Sequence, residues 1–195
     1  DIDTYTKAAD QGDEHANGDE QSITIGEAFI NSGYVTAHIG KYHAGATEPD
    51  DPTFPLNQGF DFNYGGQNGG TPGSFFALDT TPRTYSELVG PELDAFAEDY
   101  DLAYITNNLV PFANGNDPTS LVGTKKHITD AMGDAFISFM DNHRNGAMSN
   151  YPVYVQLHFY AVHSPIQGRP DLVDKYLAIT PPTNSTHGKN SGYRY

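Results

Sequence analysis

Thr24-Ile25-Gly26-Glu27-Ala28-Phe29, then Ser32-Gly33 and Tyr34-Val35-Thr36-Ala37-His38-Ile39-Gly40-Lys41-Tyr42-His43-Ala44-Gly45, is the stretch that decides the fold class. Thr24 and Glu27 have the spacing of a capping box, in which each side chain satisfies an orphan backbone N–H at a helix start. Ile25, Ala28 and Phe29 fall on one helical face, and Ser32-Gly33 supplies a stop through the left-handed conformation that glycine tolerates. The β-branched and aromatic run Tyr34 to Ile39 reads as a short strand. A helix feeding a strand through one glycine is an α/β signature.

Downstream, Asp50 to Gly73 is a long irregular stretch rich in proline, glycine and aromatic residues, the composition of an ordered or binding loop. Leu93 to Tyr104 has helical potential, interrupted beyond it by Asn107-Asn108 and by Asn114-Gly115-Asn116-Asp117-Pro118. A second helix is expected over Thr124 to Asn142, with Ile128, Ala131, Met132, Ala135, Phe136, Phe139 and Met140 as its apolar stripe and Asn145-Gly146 beyond its end. Val153 to Ala161 reads as a strand buried in the middle of a mostly parallel sheet, stopped by Pro165. A short helix is expected over Asp171 to Tyr176, and Thr180 to Tyr195 is an open tail. The sum is part of a doubly wound, mostly parallel sheet flanked by helices, incomplete in this chain. In such sheets ligands bind beyond the carboxyl ends of the strands. Residues 1–21 read as a polar lead-in, and residues 22–195 as the central part of an α/β domain.

The chain has 195 residues, with 10 Lys+Arg against 25 Asp+Glu, for a formal net charge of −15. That surplus repels nucleic acid phosphates. No run of apolar residues is long enough for a membrane-spanning helix, and Asp1-Ile2-Asp3 does not open a signal peptide. With no cysteine, disulfides, thiolate metal sites and a cysteine nucleophile are excluded within these residues.

Two strand ends carry ionisable groups. In Gly40-Lys41-Tyr42-His43-Ala44-Gly45, Lys41 and His43 alternate as neighbours on one side of an extended segment, and an ammonium beside an imidazole suits an oxyanion. The bland alternative is a surface turn with an exposed Lys and a packed His. In Tyr160-Ala161-Val162-His163-Ser164-Pro165, a strand delivers His163 to its carboxyl end, where it suits general acid work or a simple capping bond. The pairs His38/His43 and His158/His163 lack an established zinc spacing. Asp50-Asp51 and Asp61 do not match a calcium loop and read as solvated turns. Phe60, Phe62 and Tyr64 either stack on a sugar ring or pin the long loop to the core.

Three blocks in register resemble the type I sulfatases of the alkaline-phosphatase superfamily. Ile25 to Gly45 is similar to the family block ending G-K-W-H-L-G, with Tyr42 in place of Trp. Gln58-Gly59-Phe60-Asp61-Phe62-Asn63-Tyr64-Gly65 is similar to G-F-D-x-F-x-G. His127-Ile128-Thr129-Asp130 and the elements leading to His163-Ser164-Pro165 are similar to the segment ending P-H-x-P, with Val162 in place of Pro.

The resemblance implies an alkaline-phosphatase-like fold and hydrolysis of an organic or carbohydrate sulfate ester. It implies a formylglycine nucleophile made from Cys or Ser in C/S-x-P-x-R, and a calcium ion held by Asp and Asn. It carries over Lys41 and His43 as contacts to sulfate oxygens and the nucleophile's hydroxyl. His163 becomes a sulfate contact that assists the leaving oxygen. Lys41, His43 and His163 are thus the expected catalytic residues, Lys41 and His163 also binding substrate. No C/S-x-P-x-R occurs in the chain, and the family's Asp-Asp and Asp-Asn metal segments have no counterpart. The nucleophile and calcium ligands are therefore expected outside these residues, and the chain alone is expected to be inactive. A periplasmic or extracellular location is the family tendency. Two other readings share the scaffold: a phosphodiesterase or phosphonate monoester hydrolase, and a non-catalytic acidic binding domain.

Overall fold

The computed structural model describes residues 23–178. The expected lead-in over 1–21 and the tail from Thr180 lie outside them. Strand β1 (Val35–Gly40) is central, paired in parallel with β2 (Phe62–Tyr64) on one side and β3 (Val153–His158) on the other. Its six residues are all buried. Helices α1 (Ile25–Asn31), α2 (Leu102–Tyr104), α3 (Ile128–Asn145) and α4 (Pro170–Leu177) accompany this sheet. The parallel sheet with flanking helices is the incomplete α/β architecture read from the sequence.

The period of two along β1 sorts its side chains by face. Ile39 joins Ile128, Ala131, Met132 and Ala135 of α3 in one cluster, while Val35 and Ala37 pack with Phe139. Each large apolar side chain buried here contributes about 1.5–3 kcal/mol. The other face is polar and buried, with Thr36 and His38 beside Asn63 of β2. Thr36 donates its hydroxyl to Gly59 O at 2.8 Å and receives the Asp61 N–H at 2.9 Å, so the chain entering β2 is tied to β1 before pairing begins.

The capping box of α1 forms as read: Glu27 N donates to Thr24 Oγ1 at 3.1 Å, and Thr24 N to Glu27 Oε2 at 2.8 Å. Its expected apolar face does not turn inward. Ile25 is 42 % exposed, and the buried residue is Gly26, because the helix lies so close to the Gln58–Gly59 turn that a Cβ would come 2.5 Å from Gln58 O. Phe29 instead stacks flat on Tyr154, with ring centroids 3.9 Å apart.

Helix α3 starts at Ile128 and not at Thr124. Lys126 and His127 are drawn into extended pairing with Phe75 to Ala77, through Ala77 N to Lys126 O at 3.1 Å and Ile128 N to Phe75 O at 2.7 Å. His127 is its N-cap, with Nδ1 accepting from Thr129 N. Strand β3 stops at His158, is half-buried, and lies at the edge of the three strands described.

The helical potential of Leu93 to Tyr104 resolves into a 3₁₀ turn (Pro91–Phe96) and the single turn α2, which runs into a π turn (Ile105–Leu109). Strand β2 was not anticipated, being three residues inside a long loop. Of that loop's aromatics, Phe60 is buried against His38, whereas Phe62 is 43 % exposed and meets Phe139 edge-on.

Candidate active site at the sheet edge

Gly40 ends β1 between α3 and β3. Its φ is +93°, and a Cβ there would come 1.9 Å from Met132 Cε and 2.3 Å from His158 O, so a side chain would push the strands apart. Directly after it, Lys41 N donates to His158 O at 2.8 Å. Lys41, half-buried, therefore leaves the sheet beside the last residue of β3. The expected extended alternation of Lys41 and His43 is not kept. His43 has a left-handed backbone, φ +56°, which turns the chain so that its N–H reaches Gln67 O at 3.1 Å. Its side chain is exposed.

His163 follows β3 by five residues. Tyr160 is buried there, with its hydroxyl donating to Gly65 O at 3.2 Å, and His163 N closes a turn onto Tyr160 O at 3.0 Å. His163 Nδ1 lies 2.7 Å from Ser164 O. A carbonyl only accepts, so Nδ1 carries the hydrogen and Nε2 is the ring atom left for chemistry.

One loop joins the two strand ends. Gln67 O receives the His43 N–H. Gly70 lies on the His43 imidazole so closely that a Cβ would come 2.4 Å from Nε2. Its neighbour Thr71 donates its hydroxyl to Ser164 O at 2.8 Å. The segment after β2 is thus laid across the carboxyl ends of β1 and β3, in contact with His43 on one side and with Ser164, the neighbour of His163, on the other. Sequence reading missed Gln67, Gly70 and Thr71, although the glycine density of Gly65-Gly66-Gln67-Asn68-Gly69-Gly70 marked a backbone that packs closely.

Below this edge lies His38, fully buried between the rings of Tyr42, Phe60 and His158 at 5.0–5.5 Å. Burial, with His158 adding to it, pushes its pKa down to about 3, so it is a neutral packing group. Asn63 Oδ1 takes the His38 Nδ1 hydrogen at 3.4 Å and the Gly66 N–H at 3.1 Å, and Asn63 Nδ2 donates back to Gly66 O at 2.8 Å. That knot holds the start of the bridging loop.

No protein-family model matches the chain. A protein of Formosa agariphila named "Sulfatase" is 32 % identical to it over 167 residues, which is 82 % of this chain. The chain belongs to the sulfatase family. It spans 29 % of that relative's length.

Within this sulfatase segment Asp51 and Asp61 are committed elsewhere. Asp51 Oδ1 accepts from both the N–H and the hydroxyl of Thr53, and Asp61 Oδ2 from Thr36 N. Among the described residues no group of three His, Asp or Glu side chains could hold a metal ion, so the residues present do not fit the calcium site that the resemblance implies. No described helix is long and apolar enough to cross a membrane.

His163 also borders a cavity of about 660 Å³ whose floor holds His127, Asp130 and Arg169 and whose walls come from Val162, Ile166 and α4. Burial lowers the His127 pKa, and its Nε2 hydrogen goes to Gln167 O at 2.9 Å. Arg169 is bound by Asp171 in a fork, at 2.7 and 3.0 Å, and by Asp130 at 3.1 Å.

Proposed function

We propose that the intact protein of which this sulfatase segment forms part hydrolyses a sulfate ester, with Lys41, His43 and His163 on the substrate. The observation that carries the reading is the loop contact of Gly70 with His43 and of Thr71 with Ser164. It makes two distant sequence blocks neighbours at the carboxyl edge of a parallel sheet, where α/β proteins bind ligands. Lys41 opposes the charge on the sulfate oxygens, and its half-buried setting beside His158 strengthens that attraction over its value in water. His43 donates a hydrogen bond to the same oxyanion or to the nucleophile's hydroxyl.

His163 acts on the leaving oxygen. With Nδ1–H committed to Ser164 O, the imidazolium form has its transferable proton on Nε2. As the bond between sulfur and the ester oxygen breaks, that proton passes to the departing oxygen, the alcohol leaves neutral, and His163 is left as the neutral imidazole. The attacking oxygen ends on sulfur. The formylglycine that would supply it, and calcium, are proposed to come from residues outside this chain. The same proposal places the protein in the periplasm or outside the cell.

The test is turnover of an aryl sulfate by the intact protein and its Lys41→Ala and His163→Ala variants. Both substitutions are expected to cut kcat at least a hundredfold with the thermal unfolding midpoint retained. Wild-type rates in either variant reject these roles. Turnover of phosphodiesters or phosphonates with none of sulfates transfers the site to phosphoryl chemistry, and absence of any hydrolysis leaves a non-catalytic binding domain.

A further inference from the structure

We infer that the cavity beside His163 is the leaving-group pocket of the proposed sulfatase and that it takes an apolar aryl or alkyl group in preference to a sugar. The inference rests on the proposed role of His163 at the ester oxygen. A proton delivered from that ring to the oxygen puts the remainder of the alcohol beside the imidazole, and this cavity is the one that His163 lines.

The polar side chains of the pocket floor already have partners. Asp130 accepts from Arg169 and from the Tyr100 hydroxyl. Arg169 faces two carboxylates, Asp130 and Asp171, so the group as a whole is anionic and does not attract a second sulfate. His127 has a hydrogen-bonding partner on each ring nitrogen. A sugar entering here would exchange the water around its hydroxyls for few free partners, an unfavourable trade.

The walls offer the opposite chemistry. Val162 is 93 % exposed and Ile166 43 %, with Leu172, Val173 and Tyr176 of α4 completing the lining. A volume near 660 Å³ accommodates one or two fused rings with room for a substituent. Apolar area left open beside a catalytic group is covered when such a ring binds.

The experiment compares, in the intact protein, kcat/KM for 1-naphthyl sulfate and for galactose 6-sulfate, and inhibition by 1-naphthol and by inorganic sulfate. The pocket predicts a preference of at least tenfold for the naphthyl ester and competitive inhibition by naphthol. Val162→Asn with Ile166→Asn is expected to raise KM for the naphthyl ester and Ki for naphthol at least tenfold, leaving Ki for sulfate within twofold. Both residues are largely or partly exposed; should the pair disturb folding, Tyr176→Ser, at a residue 65 % exposed, is expected to show the same split at smaller size. Equal or better use of the galactose ester, or unaltered naphthol inhibition in folded variants, overturns the pocket while leaving the sulfatase reading standing. No turnover of either sulfate overturns both.

Discussion

The hydroxyl of Thr71 and the Nδ1 hydrogen of His163 end on one acceptor, the Ser164 carbonyl oxygen, at 2.8 and 2.7 Å. A carbonyl has two lone pairs, and here each is used by a different part of the site. The bridging loop and the orientation of the His163 ring are therefore coupled through a single backbone oxygen.

Thr71→Val removes the bond to Ser164 O and the one Gly73 N donates to Thr71 Oγ1 at 3.2 Å, with little change in side-chain volume. The expected stability loss is about 1–2 kcal/mol, the net value of two ordinary hydrogen bonds in an exposed loop. The larger effect is expected on catalysis, as a fall in kcat with KM little changed, because the loop no longer steadies the carbonyl that orients His163. Urea unfolding alongside steady-state kinetics of the intact protein checks both parts; equal kcat values would remove Thr71 from the site.

Gly70→Ala tests the other end of the loop. The added methyl meets the imidazole of His43, the far end of a movable side chain, at 2.4–2.7 Å. The ring can yield, so stability is expected to change by no more than about 1 kcal/mol. Activity is expected to fall at least tenfold, since an ångström of misplacement is costly in a preorganised site. Gly40→Ala is expected to differ in kind. Its Cβ meets the backbone oxygen of His158 as well as Met132, and unfolding at markedly lower urea is the expected result.

His38 sets an acid limit on the fold. Its pKa is about 3 in the folded chain against an ordinary 6.5, so between those values the unfolded state binds the extra proton. Stability is then fully present above pH 6.5 and is lost as pH falls toward 3, at about 1.4 kcal/mol per pH unit. At pH 5 this amounts to about 2 kcal/mol, and His127, also held down by burial, adds in the same direction. Urea midpoints measured from pH 7 to pH 5 are expected to fall less steeply for His38→Gln than for the wild type. Parallel slopes would contradict the assignment.

What the sequence made legible was mostly local. Thr24 and Glu27 are three residues apart, and their mutual capping needs nothing else, so the start of α1 could be read directly. β1 announced itself by composition, and the apolar stripe of α3 by period. The errors came from partners distant in the chain. Lys126 and His127 have helical company on their C-terminal side, yet Phe75 to Ala77 claims them as extended backbone. Ile25 lies on the apolar face of α1, yet the residue buried there is Gly26, through its close approach to the Gln58–Gly59 turn.

At the candidate site, the motif pointed to Lys41, His43 and His163, whereas the loop contacts to His43 and Ser164 did not show. Thr71 and Ser164 are separated by 93 positions, and no pattern in either segment encodes that contact. The turn at His43 was equally hidden, because a left-handed backbone at a non-glycine residue has no sequence mark of its own.

The most direct test of the central claim is whether one oxyanion reports to both histidines. Inorganic sulfate is titrated into the 195-residue chain while the imidazole Cε1–H signals of His43 and His163 are followed by NMR, in the wild type and in Lys41→Ala. The account predicts that both signals move with a single shared Kd, and that both responses weaken at least tenfold without the Lys41 ammonium. Movement of only one ring, two unrelated affinities, or an unchanged response in Lys41→Ala would contradict it.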